Sequence, residues 1–406
     1  MRKTIITLLL LVTLPAIAAN VIKQAKENIK KGSNLEQTEK SLLEEAAKSE
    51  TKHADKIECM RLAVECNIKM NEAENMKLYL HQKSDTAKFF NTILTIYKHL
   101  ELIDSIEQLP NEKGKVKIKN RKNARELMMN YRSNLFKGGQ FNYRKQLYKE
   151  AFNFFDEYLS STASPILEKD KLQQADTLLP RAAYLAVTSA NYIKNNDGII
   201  RYAKQAIKAN LKSHLIQEFL AEAWLSKQDT AKHVEELWEG INNYPSHQYF
   251  FTHLVDYYVA TRQLDYGINV VDSMIATNNR NPLYWYAKSL ILLKQNKDRE
   301  AIDVCDSCLA CDSNYVDAYY NKGIASLNLA VIYSEQASSD INDPNYQHDQ
   351  EIIRSMYNLA KRPMEKVREM QPDQVERWAA PLYRIYLHLN MGEQFDEMDR
   401  LLNQSQ

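Results

Sequence analysis

The sequence predicts an all-α protein made of repeated helix pairs, and two observations support that prediction. The chain of 406 residues contains only 9 glycines and 10 prolines, well below average usage of roughly 7% and 5%. Tight turns, hairpins and glycine-rich phosphate loops need these residues, so their scarcity favours long helical segments. In addition, matching side chains recur at a spacing of 34 residues, a period typical of helix–turn–helix repeats.

Composition and charge narrow the possible functions. Hydrophobic residues make up 44% of the chain and charged residues 26%, which excludes a disordered chain and a bundle of membrane helices. The 53 basic residues balance 52 acidic ones, so no net field attracts nucleic acid, and none is expected as a partner. The chain exceeds the roughly 250–300 residues at which a single core stops growing, so we expect domains or repeats.

Residues 1–19 are predicted to be a secretory signal peptide. Arg2 and Lys3 precede an apolar run, and Ala16 and Ala18 provide a cleavage site of the A-x-A type. The run is shorter than the roughly 20 apolar residues that span a bilayer, and no cysteine follows it to carry a lipid. We therefore expect an exported protein, periplasmic or secreted, without a membrane-spanning segment.

N-terminal helical repeats are predicted over residues 20–110. A 34-residue frame starting at Lys56 gives these inward positions: Cys59, Leu62, Ala63, Cys66 and Tyr79. The first helix of that frame repeats 34 residues later with Ile93, Ile96, Tyr97 and Leu100. In this frame Tyr79 belongs to a second helix.

A basic linker is predicted over residues 111–125, where Glu112 is the only acidic residue. Lysines alternate there with Val116 and Ile118, which indicates a short strand-like or extended segment. A solvated linker is the favoured interpretation, and a contact for an acidic partner or surface is the alternative. A helix pair with an insertion is predicted to follow over residues 126–179.

A regular array is predicted over residues 180–333, with four consecutive spacings of 34 and no gap. The position where paired helices touch is occupied by Val187, Ala221, Val255, Ser289 and Gly323. An inward position of the second helix is occupied by Ala203, Leu237, Val271 and Cys305. Gln217, His233 and Lys288 fall on positions of the repeat and depart from its pattern.

Residues 334–406 are predicted to hold an insertion and the C-terminal repeat or capping helices. Their inward residues are Ala360, Met364, Val367, Trp378, Leu382 and Ile385. The first three fit the second helix of the pair that contains Gly323, so that pair is expected to form across the insertion.

The repeated positions resemble those of the tetratricopeptide repeat (TPR). Trp285, Gly323, Tyr258, Ala301 and Pro245 occupy its aromatic, small, aromatic, small and proline positions. The resemblance implies a right-handed helical solenoid of roughly eight to ten helix pairs, each stable only when stacked on its neighbours. The chain as a whole resembles exported TPR proteins of Gram-negative bacteria, in which such arrays usually serve as protein-binding scaffolds.

The five cysteines are Cys59, Cys66, Cys305, Cys308 and Cys311. Helical side chains three residues apart have Cβ atoms about 5–6 Å apart, whereas a relaxed disulfide needs roughly 3.5–4.5 Å. The three cysteines at residues 305–311 are therefore predicted to be buried, reduced and metal-free. A reactive dithiol or a metal site is the alternative.

The sequence contains no sign of catalysis. The motifs of a nucleophile elbow, a phosphate loop and a zinc protease do not occur. His253 lies near Asp256, a possible base and its orienting group, but the frame places no nucleophile beside them. We expect no enzyme activity, no cofactor and no metal.

The resemblance implies a concave binding face on the first helix of each repeat. Its candidate residues are Tyr184, Thr188, Asn191, Glu218, Glu222, Tyr249, Thr252, Asp256, Tyr286 and Tyr320. Tyrosine combines apolar area with a polar tip, which suits a binding surface. A protein or peptide partner in the cell envelope is expected, with capture of a glycan or nutrient as the alternative. Another possibility is that the tyrosines pack under the C-terminal insertion.

Overall fold

The computed structural model describes residues 18–404, and the predicted leader up to residue 17 lies outside them. The described residues contain α-helices and short 3-10 turns and no strand. Contacts divide the chain into two compact units, unit 1 up to Tyr244 and unit 2 from Pro245. Among the described residues, no helix combines the length and hydrophobicity needed to cross a membrane.

Unit 1 contains eleven helices within its described part. They are α1 (18–31), α2 (Leu35–Ala47), α3 (His53–Tyr79), α4 (Thr86–Glu107), α5 (Arg121–Arg144), α6 (Tyr148–Ser160), the short α7 (Leu172–Ala175), α8 (Leu179–Tyr192), α9 (Asn196–Ile207), α10 (Ser213–Ser226) and α11 (Thr230–Asn243). Two 3-10 turns, Ser161–Ala163 and Glu168–Asp170, lie between α6 and α7.

Unit 2 contains eight helices within its described part. They are α12 (Gln248–Ala260), α13 (Leu264–Thr277), α14 (Pro282–Lys294), α15 (Asp298–Cys311), α16 (Val316–Gln336), α17 (Tyr346–Met370), α18 (Val375–His388) and α19 (Gly392–Gln404).

The predicted 34-residue period is confirmed by the helix boundaries. The second helices α9, α11, α13 and α15 begin at intervals of 34 residues. The helix-contact column and the inward second-helix column are buried throughout, from Val187 to Gly323 and from Ala203 to Cys305. The chain is therefore all-α with the TPR fold, because each pair buries its apolar side against its neighbours.

The turn inside each pair is made without glycine. Four residues at intervals of 34 adopt a left-handed backbone: Lys194, Gln228, Arg262 and Asn296. Such a backbone costs a residue with a Cβ about 1–2 kcal/mol. Part of that cost is offset by hydrogen bonds that close the helix end, such as Asn195 N–H to the Ala190 carbonyl at 2.9 Å. The scarcity of glycine thus reflects left-handed polar residues at the turns rather than a lack of tight turns.

Two of the three residues that depart from the pattern, Gln217 and His233, are buried and hydrogen-bonded. Lys288 is half-buried and pairs with Asp272 at 2.7 Å. The Gln217 amide nitrogen donates to the Glu236 carboxylate at 2.6 Å, and that carboxylate also pairs with Lys204 at 2.7 Å. His233 Nδ1 lies 2.8 Å from the Ala221 carbonyl oxygen. Buried polar groups are tolerated when they are paired in this way.

The pair that contains Gly323 forms across the insertion, as predicted. Gly323 in α16 is buried against α17, where a Cβ at position 323 would lie 2.5 Å from the Met364 methyl carbon. All six predicted inward residues of this region, from Ala360 to Ile385, are buried. The C-terminal core therefore joins α16, α17 and α18.

The predicted frame at Lys56 is wrong for its second helix. Residues 53–79 form one uninterrupted helix, α3, and Tyr79 is 81% exposed at its end. The other inward positions, from Cys59 to Leu100, are buried as predicted, because α3 packs between α2 and α4 along its length. Its 27 residues contain no proline or glycine to form the expected turn.

The basic linker is shorter than predicted and contains no strand. The helix α5 begins at Arg121, where the guanidinium pairs with Asp104 at 2.7 Å, and Arg125 one turn later pairs with Asp170 at 2.5 Å. Residues 108–120 are the irregular connection between α4 and α5.

Candidate functional site

The candidate residues lie on the first helices of the pairs, and each unit presents its own part of this surface. In unit 1, α8 packs beside α5 and α10; in unit 2, α14 packs beside α12 and α16, and α16 beside α18. We call these surfaces the first-helix face of unit 1 and the first-helix face of unit 2.

On unit 1, the candidate residues differ in accessibility. Tyr184 and Asn191 are half-buried, and Glu222 is exposed, with Glu218 half-buried on the same helix. Thr188 is only 9% exposed, and its hydroxyl donates to the carbonyl oxygens of its own helix. The prediction that Thr188 lines the surface is therefore not supported by its position.

An aromatic cluster beside Tyr184 was missed by the sequence analysis. The rings of Tyr148 and Tyr192 stack with centroids 4.0 Å apart and an interplanar angle of 9°, and Tyr143 meets Tyr148 edge-on at 5.5 Å. Burial, with Tyr143 and Tyr192 nearby, raises the pKa of Tyr184. Tyr143 and Tyr148 precede the regular array, so the 34-residue frame gave no signal for them.

On unit 2, the first part of the surface is built around Tyr249. Its ring stacks on His253, with centroids 3.8 Å apart. Thr252 is half-buried and its hydroxyl donates to the carbonyls of Gln248 and Tyr249, at 3.1 and 3.0 Å. The Thr252 hydroxyl therefore donates to the backbone of its own helix, which leaves the ring of Tyr249 as the main contact surface here.

Tyr286 is at the centre of the unit 2 face. It is half-buried, and its ring lies 5.4 Å from that of Tyr315. Burial raises the pKa of Tyr286, the carboxylates of Asp317 and Asp256 raise it further, and the Arg377 guanidinium opposes this shift. The hydroxyl of Tyr286 is therefore in the electrostatic field of two carboxylates and one guanidinium.

Tyr320 is covered by the C-terminal helix α18. The Arg377 guanidinium lies over the Tyr320 ring, 4.7 Å from its centroid, and donates to Asp317 at 2.7 Å and to the Gln371 side chain at 2.7 Å. The alternative that the tyrosines are covered from the C-terminal region therefore applies to Tyr320, although the covering residue comes from α18. Arg377 lies 60 residues from Asp317, and no sequence period connects the two.

The predicted burial is confirmed for two of the three cysteines in α15. Cys305 and Cys308 are buried, and burial raises the pKa of their thiols to about 11 and about 12. Cys311 is exposed at the end of α15, so its predicted burial is wrong. The frame ends its inward positions at Cys308, whereas Cys311 is the last residue of α15, where its thiol contacts the Asn279 carbonyl oxygen at 3.4 Å. All five cysteines are free thiols.

The described residues bring together no group of three or more His, Cys, Asp or Glu side chains that could hold a metal ion. The possible pair of His253 and Asp256 is not formed either, because His253 Nδ1 lies 2.8 Å from the Tyr249 carbonyl oxygen instead. What the surface offers is aromatic rings and carboxylates, which suit recognition of a cationic group.

Comparison with known proteins gives likeness in structure alone. No protein-family model matches the chain, and no curated protein matches it in sequence. A solved structure of the C-terminal part of a TPR repeat-containing protein from Cytophaga hutchinsonii is similar, with 11% identity over 65% of this chain and 92% of that chain, and a TM-score of 0.42.

Two further TPR structures show the same kind of likeness. A TPR repeats protein from Bacteroides fragilis has 15% identity over 66% of this chain and 98% of that one, with a TM-score of 0.34. The TPR protein YrrB, described as having an unusual peptide-binding site, has 13% identity over 64% and 97%, with a TM-score of 0.24. Because these TM-scores are low, the fold assignment rests on the helix pairs described above.

Proposed function

We propose that the chain is an exported, non-enzymatic binding protein that holds a basic segment of a protein partner on the first-helix face of unit 2. The observation that supports this proposal is the contact of Arg377 with Tyr320 and Asp317. In that contact the surface already holds one guanidinium between an aromatic face and a carboxylate.

The neighbouring residues offer the same chemistry to a second cation. Asp256 is exposed and Tyr286 is half-buried beside it, so a carboxylate and an aromatic side chain remain accessible next to the occupied pair. Arginine joins an ion pair to stacking on an aromatic ring, and such contacts strengthen when they are shielded from water. An acidic segment would meet Asp256 and Asp317 and be repelled.

The test is binding of short labelled peptides to the full chain by fluorescence anisotropy. An arginine-containing peptide is expected to bind, while the same peptide with glutamine at the arginine positions is not. Asp256→Asn and Tyr286→Ala should each weaken binding severalfold, because each removes one half of the cation site. Asp303→Asn, an exposed carboxylate on the second helix α15, is the matched control.

Equal binding of the two peptides, or loss of affinity in the control as large as in Asp256→Asn, would contradict the proposed surface. Tighter binding of the glutamine peptide than of the arginine peptide would contradict the basic partner.

Export is the second part of the proposal, and it is supported by the leader-like composition of residues 1–19. N-terminal sequencing of the protein recovered from a secreting bacterial host is expected to begin at Ala19 or Asn20. A chain recovered only from the cytoplasm with Met1 retained would refute export and leave the binding surface untouched.

Glycan capture is the alternative function, and one observation favours it. Tyr192 is 61% exposed while its ring stacks on Tyr148, which leaves an aromatic surface of the kind on which sugar rings stack. Retention on immobilised polysaccharide that Tyr192→Ala abolishes would support this function over the peptide site. Elution of the protein from the polysaccharide column without delay would exclude glycan capture.

A further inference from the structure

A second surface lies on the connection between α4 and α5, away from the first-helix faces. Residues 115–119 contain no turn and no bend, so this part of the chain runs extended. Four exposed lysines follow one another at alternate positions: Lys113, Lys115, Lys117 and Lys119. None of them takes part in an ion pair described for residues 18–404. We call residues 113–119 the lysine segment.

Both ends of the lysine segment are fixed to the helices. The Asn111 side chain accepts hydrogen bonds from the N–H groups of Lys113 and Lys115, at 2.9 and 3.1 Å. At the other end, Glu107 accepts from the N–H groups of Lys119 and Asn120, both at 3.0 Å. An extended segment that is held at both ends loses little further entropy when it binds.

The nearby carboxylates are engaged elsewhere. The Glu112 carboxylate accepts from the backbone N–H of His53 at 2.7 Å, at the beginning of α3. Glu107 uses both oxygens on Lys119 and Asn120. These two acids therefore anchor the connection through N–H hydrogen bonds, and neither forms an ion pair with a lysine side chain of the segment.

The centre of the segment has unused backbone groups. Among the hydrogen bonds of residues 18–404, none uses the N–H or C=O of Val116, Lys117 or Ile118. Side chains alternate between the two sides of an extended chain, so Lys115, Lys117 and Lys119 share one side. Val116 and Ile118, 53% and 41% exposed, share the other.

We propose that the lysine segment binds an extended acidic peptide segment as a paired β-strand. The partner strand would take up the free backbone groups of residues 116–118 and place an acidic side chain opposite each lysine. Opposed side chains on paired strands lie about 4.5–5.5 Å apart, close enough for charge pairs. On the other side, apolar residues of the partner would cover Val116 and Ile118, so the recognised pattern alternates acidic and apolar residues.

The charge also excludes one obvious competitor. A second copy of this segment would place lysine opposite lysine, which is destabilising, and exposed strand edges commonly carry lysine for that reason. A two-stranded ribbon is only marginally stable in water by itself. The ion pairs must therefore supply much of the binding, and the affinity should fall steeply as salt is added.

The experiment measures binding of two labelled peptides of identical composition to the full chain. In one peptide Glu and Val alternate, and in the other the glutamates and valines are grouped. The alternating peptide is expected to bind more tightly and to slow hydrogen exchange at the amides of residues 116–118. Replacing Lys115, Lys117 and Lys119 together with Gln should weaken binding about tenfold or more, since three cross-strand charge pairs are lost.

Two further variants separate strand pairing from charge. Lys117→Pro removes one central N–H donor and is expected to weaken binding beyond the loss of one charge in Lys117→Gln. The matched control replaces Lys137, Lys149 and Lys208 with Gln, two exposed lysines on helices and one directly after the end of α9, and should bind as the unmodified chain does.

Three outcomes would overturn the proposal. They are equal affinity for the two peptides, unchanged hydrogen exchange at residues 116–118 in the complex, and a control triple variant as weak as the lysine-segment triple. Tighter binding of a single-stranded oligonucleotide or of anionic lipid vesicles than of the alternating peptide would also contradict the proposal. It would show that the lysines attract anions in general and that strand pairing is not what determines binding. Failure here leaves the peptide site of unit 2 unaffected, since the two tests use peptides of opposite charge.

Discussion

The regular array and the long-helix region before it bury their interiors by different means. In the array, from α8 to α15, the inward second-helix column is fully buried and apolar: Ala203, Leu237, Val271 and Cys305 are each 0% exposed. In the region from α3 to α6, charged side chains are buried as well, among them Arg132, Glu157, Asp104 and Glu107. The array buries the carboxylates of Glu236 and Asp298 as well, but its repeated second-helix column is wholly apolar, whereas the other region buries an arginine paired with a carboxylate.

Arg132 shows what such a pair involves. Its guanidinium donates to Asp176 at 2.7 Å and to the Tyr158 carbonyl at 3.2 Å, and lies over the Tyr158 ring. The Tyr158 hydroxyl donates to the same Asp176 carboxylate at 2.6 Å. The contact links α5 to the irregular segment before α8. A buried ion pair of this kind stabilises the folded state little more than apolar side chains of the same size would. Removing one partner, however, leaves a buried unpaired charge, which is strongly destabilising.

The largest expected effect follows from breaking that pair. Arg132→Met keeps most of the side-chain length and leaves the Asp176 carboxylate without its cation, so the free energy of unfolding should fall by about 3–5 kcal/mol. Chemical denaturation of the full chain, with hydrogen exchange to locate the loss in unit 1, measures it. Arg201→Met breaks the exposed pair with Asp156 and should cost about 1 kcal/mol or less. Similar losses in the two variants would refute the contrast.

The second prediction concerns the carboxyls of Glu157 and Glu101. Burial, and then the neighbouring Glu101, raises the pKa of Glu157 from 4.5 to about 8. Lys98 opposes this shift and Asp156 adds to it, while burial and Asp104 raise the pKa of Glu101. Glu157 is therefore protonated in the folded protein at neutral pH.

The sign of the pH effect follows from proton binding. Above pH 4.5 the unfolded chain loses this proton and the folded chain keeps it, so stability falls as the pH rises towards about 8 and levels off beyond. Glu157→Gln removes the titration and should stabilise the protein by a few kcal/mol at about pH 8, with little gain at about pH 4. Thermal melts across this range test it, with exposed Glu150→Gln on the same helix as control. A gain independent of pH would contradict the assignment.

The third prediction tests the close helix contact at the end of the array. Gly323→Leu must displace Met364, and overpacking of this kind typically costs about 1–3 kcal/mol. Gly323→Ala should be near neutral, because the atom it meets is the flexible end of Met364 and the helix gains up to about 1 kcal/mol from alanine. Gly392→Leu, where nothing lies within 4 Å of the added Cβ, is the control in melting experiments. If Gly323→Leu has the same melting temperature as the unmodified chain, α16 and α17 do not pack against each other at this residue.

The smallest effect on stability is expected at the cysteines, where the readout is reactivity. Maleimide should label Cys311 rapidly in the native protein, and Cys59, Cys66, Cys305 and Cys308 only after unfolding, because those four are buried. Cys311→Ser should abolish native labelling and leave the melting temperature unchanged. Labelling of more than one thiol under native conditions would show that the apolar columns open more readily than their burial implies.

Sequence patterns predicted most of the interior but not every helix boundary. The inward positions around Cys59 and Leu100 were predicted correctly, although the turn expected between Lys56 and Tyr79 is absent. A periodic apolar pattern reports which side of a helix is buried, and it does so whether or not the helix is interrupted. The repeat pattern also predicted only part of the first-helix face correctly. Thr188 is buried, and Tyr320 is covered by Arg377 from α18, a helix whose position the 34-residue frame could not predict.

By itself, the sequence determined the all-α class, the 34-residue spacing and the close contact at Gly323, because these depend on local helix geometry and on repeated apolar positions. Only the tertiary structure decided that Arg377 covers Tyr320, that Arg132 meets Asp176, and that Tyr148 stacks on Tyr192. Each of these contacts joins residues far apart in the chain, and a polar or aromatic pair depends on the exact separation of two surfaces. Periodicity constrains which side of a helix faces inward, whereas that separation is set only when all the helices have packed.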